Sequence, residues 1–199
     1  MTGGLILAAG RGSRFGSPKQ LADLGGQPLI AHAADAMLAL PQVQPVVVAV
    51  GANAERVAGD ACLEGVEILN VPDWEEGIAA SLRAGIARLD ASDSVVVTLA
   101  DQPFVTPQLI HRVLDHSNGS GLPARATFEG APGHPVVIRR ELFAGVKELQ
   151  GDDGARDLLE AAGCVHVECA HLASGLDVDT TEDLKRARRE SAAAGKESK

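Results

Sequence analysis

Four short apolar, β-branched runs punctuate the first half of the chain: GLILA at 4–8, PVVVAV at 45–50, VEILNV at 66–71 and SVVVTLA at 94–100. Runs this short, without polar alternation, fit strands buried on both faces, as in a parallel sheet. Between them lie helical patterns at 28–40, 54–61 and 78–89. In the last of these, Ile78, Leu82, Ile86 and Leu89 share one face. The alternation predicts an α/β fold with a mostly parallel sheet.

The second half is less regular. An extended segment at 123–128, a Gly/Pro-rich turn at 130–133 and a strand-like HPVVI at 134–138 predict a small antiparallel insertion covering a site. A helix near 154–162, a strand near 165–168 and a final helix at 181–189 follow. No internal repeat or linker divides the sequence, so residues 1–190 are expected to form one domain, with the small, polar 191–199 as a frayed tail.

A formal net charge of -9 opposes generic nucleic-acid binding, and 3% aromatic residues leave little for base stacking. No apolar run is long enough to cross a bilayer. The N-terminal apolar stretch lacks a basic lead-in and is too short for a signal core, which predicts a cytoplasmic protein. Three cysteines, Cys62, Cys164 and Cys169, form no CxxC pair and read as free thiols. An anionic ligand must therefore be met locally, by cations and backbone amides gathered in one place.

The stretch LAAGRGSRFGSPKQL, residues 7–21, offers that place. Gly10, Gly12 and Gly16 permit close backbone approach, so that successive N–H groups can face phosphate oxygens, while Arg11, Arg14 and Lys19 bring positive charge. The spacing is neither the dinucleotide GxGxxG nor the Walker GK[ST] form. On the residues alone, a polyphosphate cradle and a structural turn both remain open.

The arrangement resembles the nucleotidyltransferases of the molybdenum-cofactor type. Leu7-Ala8-Ala9-Gly10, Gly12-Ser13-Arg14-Phe15-Gly16 and Pro18-Lys19-Gln20-Leu21 match that family's N-terminal motif. Asn70, Trp74, Gly77 and Ser81 match its NxxWxxGxxxS, Asp101-Gln102-Pro103 its DQP, and Gly133-His134-Pro135-Val136 its GHPV. Gly151-Asp152 with Gly154-Ala155-Arg156 match GDxGAR, and Asp177-Val178-Asp179-Thr180 a closing DIDT. Thr181 departs from the usual proline, at a position where Thr also suits a helix start.

The resemblance implies a Rossmann-like three-layer nucleotidyltransferase fold that uses Mg²⁺. Within the family it is greatest to the cytidylyltransferases, which join CTP to molybdopterin and release pyrophosphate, with molybdenum hydroxylases as recipients of the product. Ala9, in place of a second glycine, favours cytosine over guanine. The implied nucleotide contacts are Leu7, Ala8, Ala9, Gly10, Arg11, Gly12, Ser13, Arg14, Lys19, Asn70, Ser81 and Asp101. Those to the acceptor substrate are Gln102, Gly133, His134, Pro135, Asp152 and Arg156. A guanylyltransferase, another small-molecule nucleotidyltransferase and a noncatalytic cofactor carrier are the competing readings.

Asp101 stands at the C-terminal end of a strand, where open α/β sheets place ligands, and a carboxylate there can hold a hard cation against developing phosphate charge. A cap for the helix opening at Thr106-Pro107, or a turn former, is the structural alternative. The family fold implies a second metal-holding aspartate, Asp179 or Asp177; Asp179 suits a helix cap equally well. Arg14, Lys19 and Asp101 are the catalytic candidates. No activated nucleophile is needed, because the attacking phosphate monoester is already anionic.

Overall fold

The computed structural model describes residues 1–10, 12, 15–16, 18–60 and 63–197. Its elements in chain order are β1 (Thr2–Ala8), β2 (Asp23–Leu24), β3 (Gln27–Pro28), α1 (Leu29–Leu38), β4 (Val43–Val50), α2 (Ala54–Asp60), β5 (Glu67–Asn70) and α3 (Ile78–Arg88). There follow β6 (Ser94–Leu99), α4 (Pro107–Ser120), β7 (Ala124–Phe128), β8 (Ala131–Arg139), α5 (Phe143–Lys147), α6 (Arg156–Ala161), β9 (Val165–Glu168) and α7 (Thr181–Glu197).

The main sheet runs β5-β4-β1-β6-β8-β7-β9. Neighbours from β5 to β6 are parallel, and β8 alone is reversed, pairing antiparallel with β6 and β7. A separate antiparallel pair joins β2 to β3. The apolar runs behave as expected of doubly covered strands. On β1, Ile6 and Ala8 face α1 and α4, whereas Leu5 and Leu7 face α3, α5 and α6. Helix, sheet and helix thus form three layers.

Local chemistry fixes the helices. Thr106 caps α4, its hydroxyl accepting from the Leu109 amide at 3.2 Å; Pro107 follows, and Gly121 closes the helix at φ 72°. On α3, Leu82, Ile86 and the flanking Leu89 are buried, whereas Ile78, in the first turn, is 37% exposed. The start of α7 is closed by Thr180 and Asp183, each side chain accepting from the other's backbone amide, at 2.8 and 3.2 Å. α7 continues to Glu197, through most of the stretch expected to fray, because Ala192, Ala193 and Ala194 are strong helix formers. No helix among the described residues is long and apolar enough to cross a membrane.

The segment expected as a covering insertion is part of the main sheet. β8 begins at Ala131, so the predicted turn at 130–133 shrinks to Glu129 and Gly130, at φ 53° and 80°. Two positive φ values suit a two-residue hairpin that follows the strands' right-handed twist. Glu168, from β9, secures this turn: its carboxylate accepts from the amides of Glu129 at 3.1 Å, Gly130 at 3.2 Å and Ala170 at 3.0 Å, and from the Thr127 hydroxyl at 3.0 Å. These donors, the Ala170 amide foremost, hold the Glu168 carboxyl down to about 2.

The folded-state pKa is depressed, so this contribution to stability is complete above the ordinary value of 4.5 and is lost as pH falls towards about 2. In Glu168→Gln, the unfolding midpoint should decline less steeply across that window than in the parent chain, as read by denaturant titration at several pH values.

Candidate active site

The chain passes from β1 outward to β4 and β5 and then returns to β6 on the other side of β1. Crevices at such reversals, beyond the carboxyl ends of the strands, are where open α/β sheets take ligands. Here the crevice is a cleft of about 450 Å³. Leu7, Ala8, Ala9 and Gly10 form one wall; Ser81 and Asp152 stand opposite; Lys19 and Asp101 lie at its base.

The loop after β1 is held from behind by Gln20. Its buried amide donates to the carbonyls of Ala8 at 2.7 Å and Gly10 at 2.9 Å. The sequence reading noticed Gln20 only as a motif letter. Phe15, whose amide donates to Gly12 O at 2.9 Å, packs with Leu24, Val178 and Leu184 and so fastens the loop to α7. Arg11, Ser13 and Arg14 lie outside the described residues.

At the base, the Lys19 ammonium donates to Asp101 Oδ2 at 2.5 Å and to Asp179 Oδ1 at 2.6 Å. Burial alone would lower its pKa, but the two carboxylates outweigh that and hold it above the usual lysine value. The other Asp101 oxygen, Oδ1, is buried without a hydrogen-bond partner among the described residues. Two carboxylates thus converge on one positive charge, one of them with an unshared oxygen, a donor set that fits a hard divalent cation.

Neither aspartate caps a helix, although Asp101 does stand in the turn after β6, where the Gln102 amide donates to Leu99 O at 3.3 Å. Thr106 caps α4 in place of Asp101, and Thr180 with Asp183 caps α7, leaving the Asp179 side chain to Lys19. Asp177 is set back. It accepts from Gln102 Nε2 at 2.6 Å, and burial pushes its carboxyl above the ordinary range, the neighbouring Asp101 and Asp179 adding to the effect.

The remaining candidates divide. Asn70 is exposed at the end of β5, outside the cleft lining. Gly133 packs on Phe128, and Pro135 is buried. His134 and Arg156 line a second cavity of about 120 Å³ that shares Leu7 and Ile78 with the cleft. Burial of the His134 imidazole, reinforced by the positive Arg125, lowers it to about 4, so at neutral pH the ring is uncharged.

Trp74 lines the cleft and presses so closely on Gly51 that a Cβ there would lie 2.4 Å from the Trp74 Cβ. Gly77 is equally constrained. At φ 125°, a Cβ on it would meet Gly151 O at 2.3 Å and Asp152 Oδ1 at 2.6 Å, while the Ala79 amide donates to Gly151 O at 3.1 Å. The loop carrying Asp152 is thereby clamped to the start of α3, with Arg83 donating to Leu149 O at 2.6 Å beside it.

A glycine-rich loop and an acidic strand end, meeting at the reversal of a mostly parallel sheet, define a nucleotidyltransferase-like α/β fold. Residues 4–167 match the MobA-like NTP transferase domain, and the chain belongs to that family. It is 35% identical over 193 residues to nicotine blue oxidoreductase from Paenarthrobacter nicotinovorans, with 92% of this chain and 94% of that relative covered. Among solved structures, it is similar to the Mycobacterium sp. strain JC1 homolog of Mycobacterium tuberculosis Rv0371c, with 28% identity, a TM-score of 0.83, and 97% and 98% of the two chains covered. Rv0371c from M. tuberculosis H37Rv in complex with manganese is also similar, at 25% identity and a TM-score of 0.77 over 94% of this chain and 98% of that one.

Gly77→Ala should cost roughly 1–3 kcal/mol, from backbone strain and displacement of the Gly151 carbonyl. A lower denaturant midpoint with an unchanged m-value checks this.

Proposed function

We propose that this protein transfers CMP from CTP to the terminal phosphate of molybdopterin, with Mg²⁺, giving molybdopterin cytosine dinucleotide and pyrophosphate. The observation that carries the transferase reading is the convergence of Asp101, Asp179 and Lys19 at the base of the cleft, with Asp101 Oδ1 unshared. The family match supports the reaction class, and the manganese complex of Rv0371c supports a divalent cation. Ala9 supports cytosine, and the GHPV and GDxGAR stretches support the pterin; both arguments come from resemblance.

In this reading, a phosphate monoester oxygen of the acceptor attacks the α-phosphorus of CTP, the α–β bridging bond breaks, and pyrophosphate leaves with the electron pair. Both reactants are anionic, so positioning and charge neutralisation supply the catalysis. Asp101 and Asp179 hold the metal, which when bound neutralises charge on the α-phosphate and the departing pyrophosphate. Amides of the loop after β1, with Arg14 and Lys19, receive the β- and γ-phosphates. Asp152 and His134 line the acceptor side, where the uncharged imidazole can exchange hydrogen bonds without repelling Arg125. Molybdenum hydroxylases would receive the product.

The test is incubation with Mg²⁺, molybdopterin and either CTP or GTP, following pyrophosphate release. CTP should be preferred, and Asp101→Asn should lower kcat at least about 100-fold. Preference for GTP would move the assignment to a guanylyltransferase. Absence of pyrophosphate with every nucleotide would overturn the transferase reading in favour of a cofactor carrier. Redox turnover of nicotine blue in its place would align the chain with its oxidoreductase relative.

A further inference from the structure

Arg125 lies in the middle of β7, where the strand alternation turns Ala124 and Ala126 into the core beneath α4 and sends Arg125 to the opposite face. It is only 7% exposed, yet its Nε and Nη1 have no hydrogen-bond partner among the described residues. The acid paired with it, Glu160 of α6, stands 3.9 Å from Nη1, too far for a hydrogen bond, and is itself engaged by His166 Nε2 at 2.8 Å. Arg156 adds a second positive charge nearby, Cys164 flanks the site, and burial has lowered the Arg125 guanidinium below its ordinary value.

A cation enclosed with unmade hydrogen bonds is unfavourable, and packing does not require it, since an aliphatic side chain would fill the same face of β7. Arg125 lines the cavity of about 120 Å³ that adjoins the nucleotide cleft. His134 and Arg156 share its wall, and the rest is apolar, with Leu82 and Ile78 from α3 and Val97, Val136 and Ile138 from β6 and β8. An apolar cavity of about 150 Å³ accommodates benzene, so this space takes a single ring, or the leading ring of a larger planar group that extends into the adjoining cleft, and not a whole nucleoside.

We propose that Arg125 determines which acceptor substrate is used: its unpaired donors receive the acceptor atoms on one edge of a small planar group, whose apolar faces lie between α3 and the β6–β8 pair. A carboxylate on a ring and a carbonyl-bearing heterocycle share this chemistry. The inference rests on the reading of the adjoining cleft as the place of phosphoryl chemistry. It adds a residue outside the recognised motifs, and it restricts the acceptor to molecules with a flat, acceptor-edged end.

The test uses benzoate and pterin as probes, with inorganic phosphate as a charged control lacking an apolar body. Binding is followed through the Arg125 Nε–Hε NMR resonance, assigned by its disappearance in Arg125→Met. Saturable shifts with benzoate or pterin, weakened at least about tenfold in Arg125→Gln as read from ring-proton shifts of the probe, are expected. Which probe binds more tightly separates the carboxylate from the heterocycle.

Failure of both probes up to about 20 mM, equal binding to both variants, or a response to phosphate alone would overturn the proposal. Unfolding midpoints establish that at least one of the two variants is folded. If pyrophosphate release fails but probe binding depends on Arg125, the transferase reading falls and the pocket stands. If CTP is consumed but neither planar probe binds, the pocket falls alone.

Discussion

The ion cluster centred on Lys19 ties together three parts of the chain that are remote in sequence. Asp101 ends β6, Asp179 precedes α7, and Lys19 follows the glycine-rich loop. Two carboxylates approaching so closely would repel each other; the ammonium between them offsets that repulsion and is itself held protonated. The Lys19–Asp101 arm is enclosed, with side chains 14% and 17% exposed, and is less screened than a surface pair, whereas Asp179 is 50% exposed. Lys19 offsets one of the two negative charges gathered there, and the remaining one is left for a cation to meet.

The loop depends on this cluster from one side and on Gln20 from the other. Gln20 takes up the carbonyls of Ala8 and Gly10, which turns backbone acceptors away from the cleft. Phe15 anchors the outer end of the loop among Leu24, Val178 and Leu184, so α7, remote in sequence, supports the segment that begins the fold.

Much of the layer structure was legible because β-branched runs have few alternatives: the four early strands and the helices between them stand close to where periodicity put them. β8 was less legible. Its opening Ala131-Pro132-Gly133 reads as a turn, but two positive-φ residues at Glu129 and Gly130 complete the reversal and leave that stretch free to pair with β7. Of the residues that line the cleft, Ser81 and Asp152 were singled out by motif matches alone, whereas Lys19 and Asp101 also stood out by position, in a glycine-rich loop and at a strand end. Whether Asp179 capped α7 depended on a competition with Thr180, which only the packed geometry decides. Arg125 escaped because a lone arginine among alanines matches no motif; its meaning lies in which face of β7 the alternation exposes to the cavity.

The single reversed strand has a wider consequence. Because β8 runs against β6, with Val97 opposite Val136, the beginning of β8 lies beside the end of β6. The sheet is therefore a composite of two halves sewn along one seam: a parallel half that presents strand ends and a mixed half that presents a strand start. Substitutions in the hairpin or in α6 can reshape one side of the seam while the other keeps its geometry. Such modularity lets a lineage exchange the molecules it accepts without rebuilding the machinery that handles phosphate, and it is a physical reason why relatives sharing this scaffold can carry names as different as transferase and oxidoreductase.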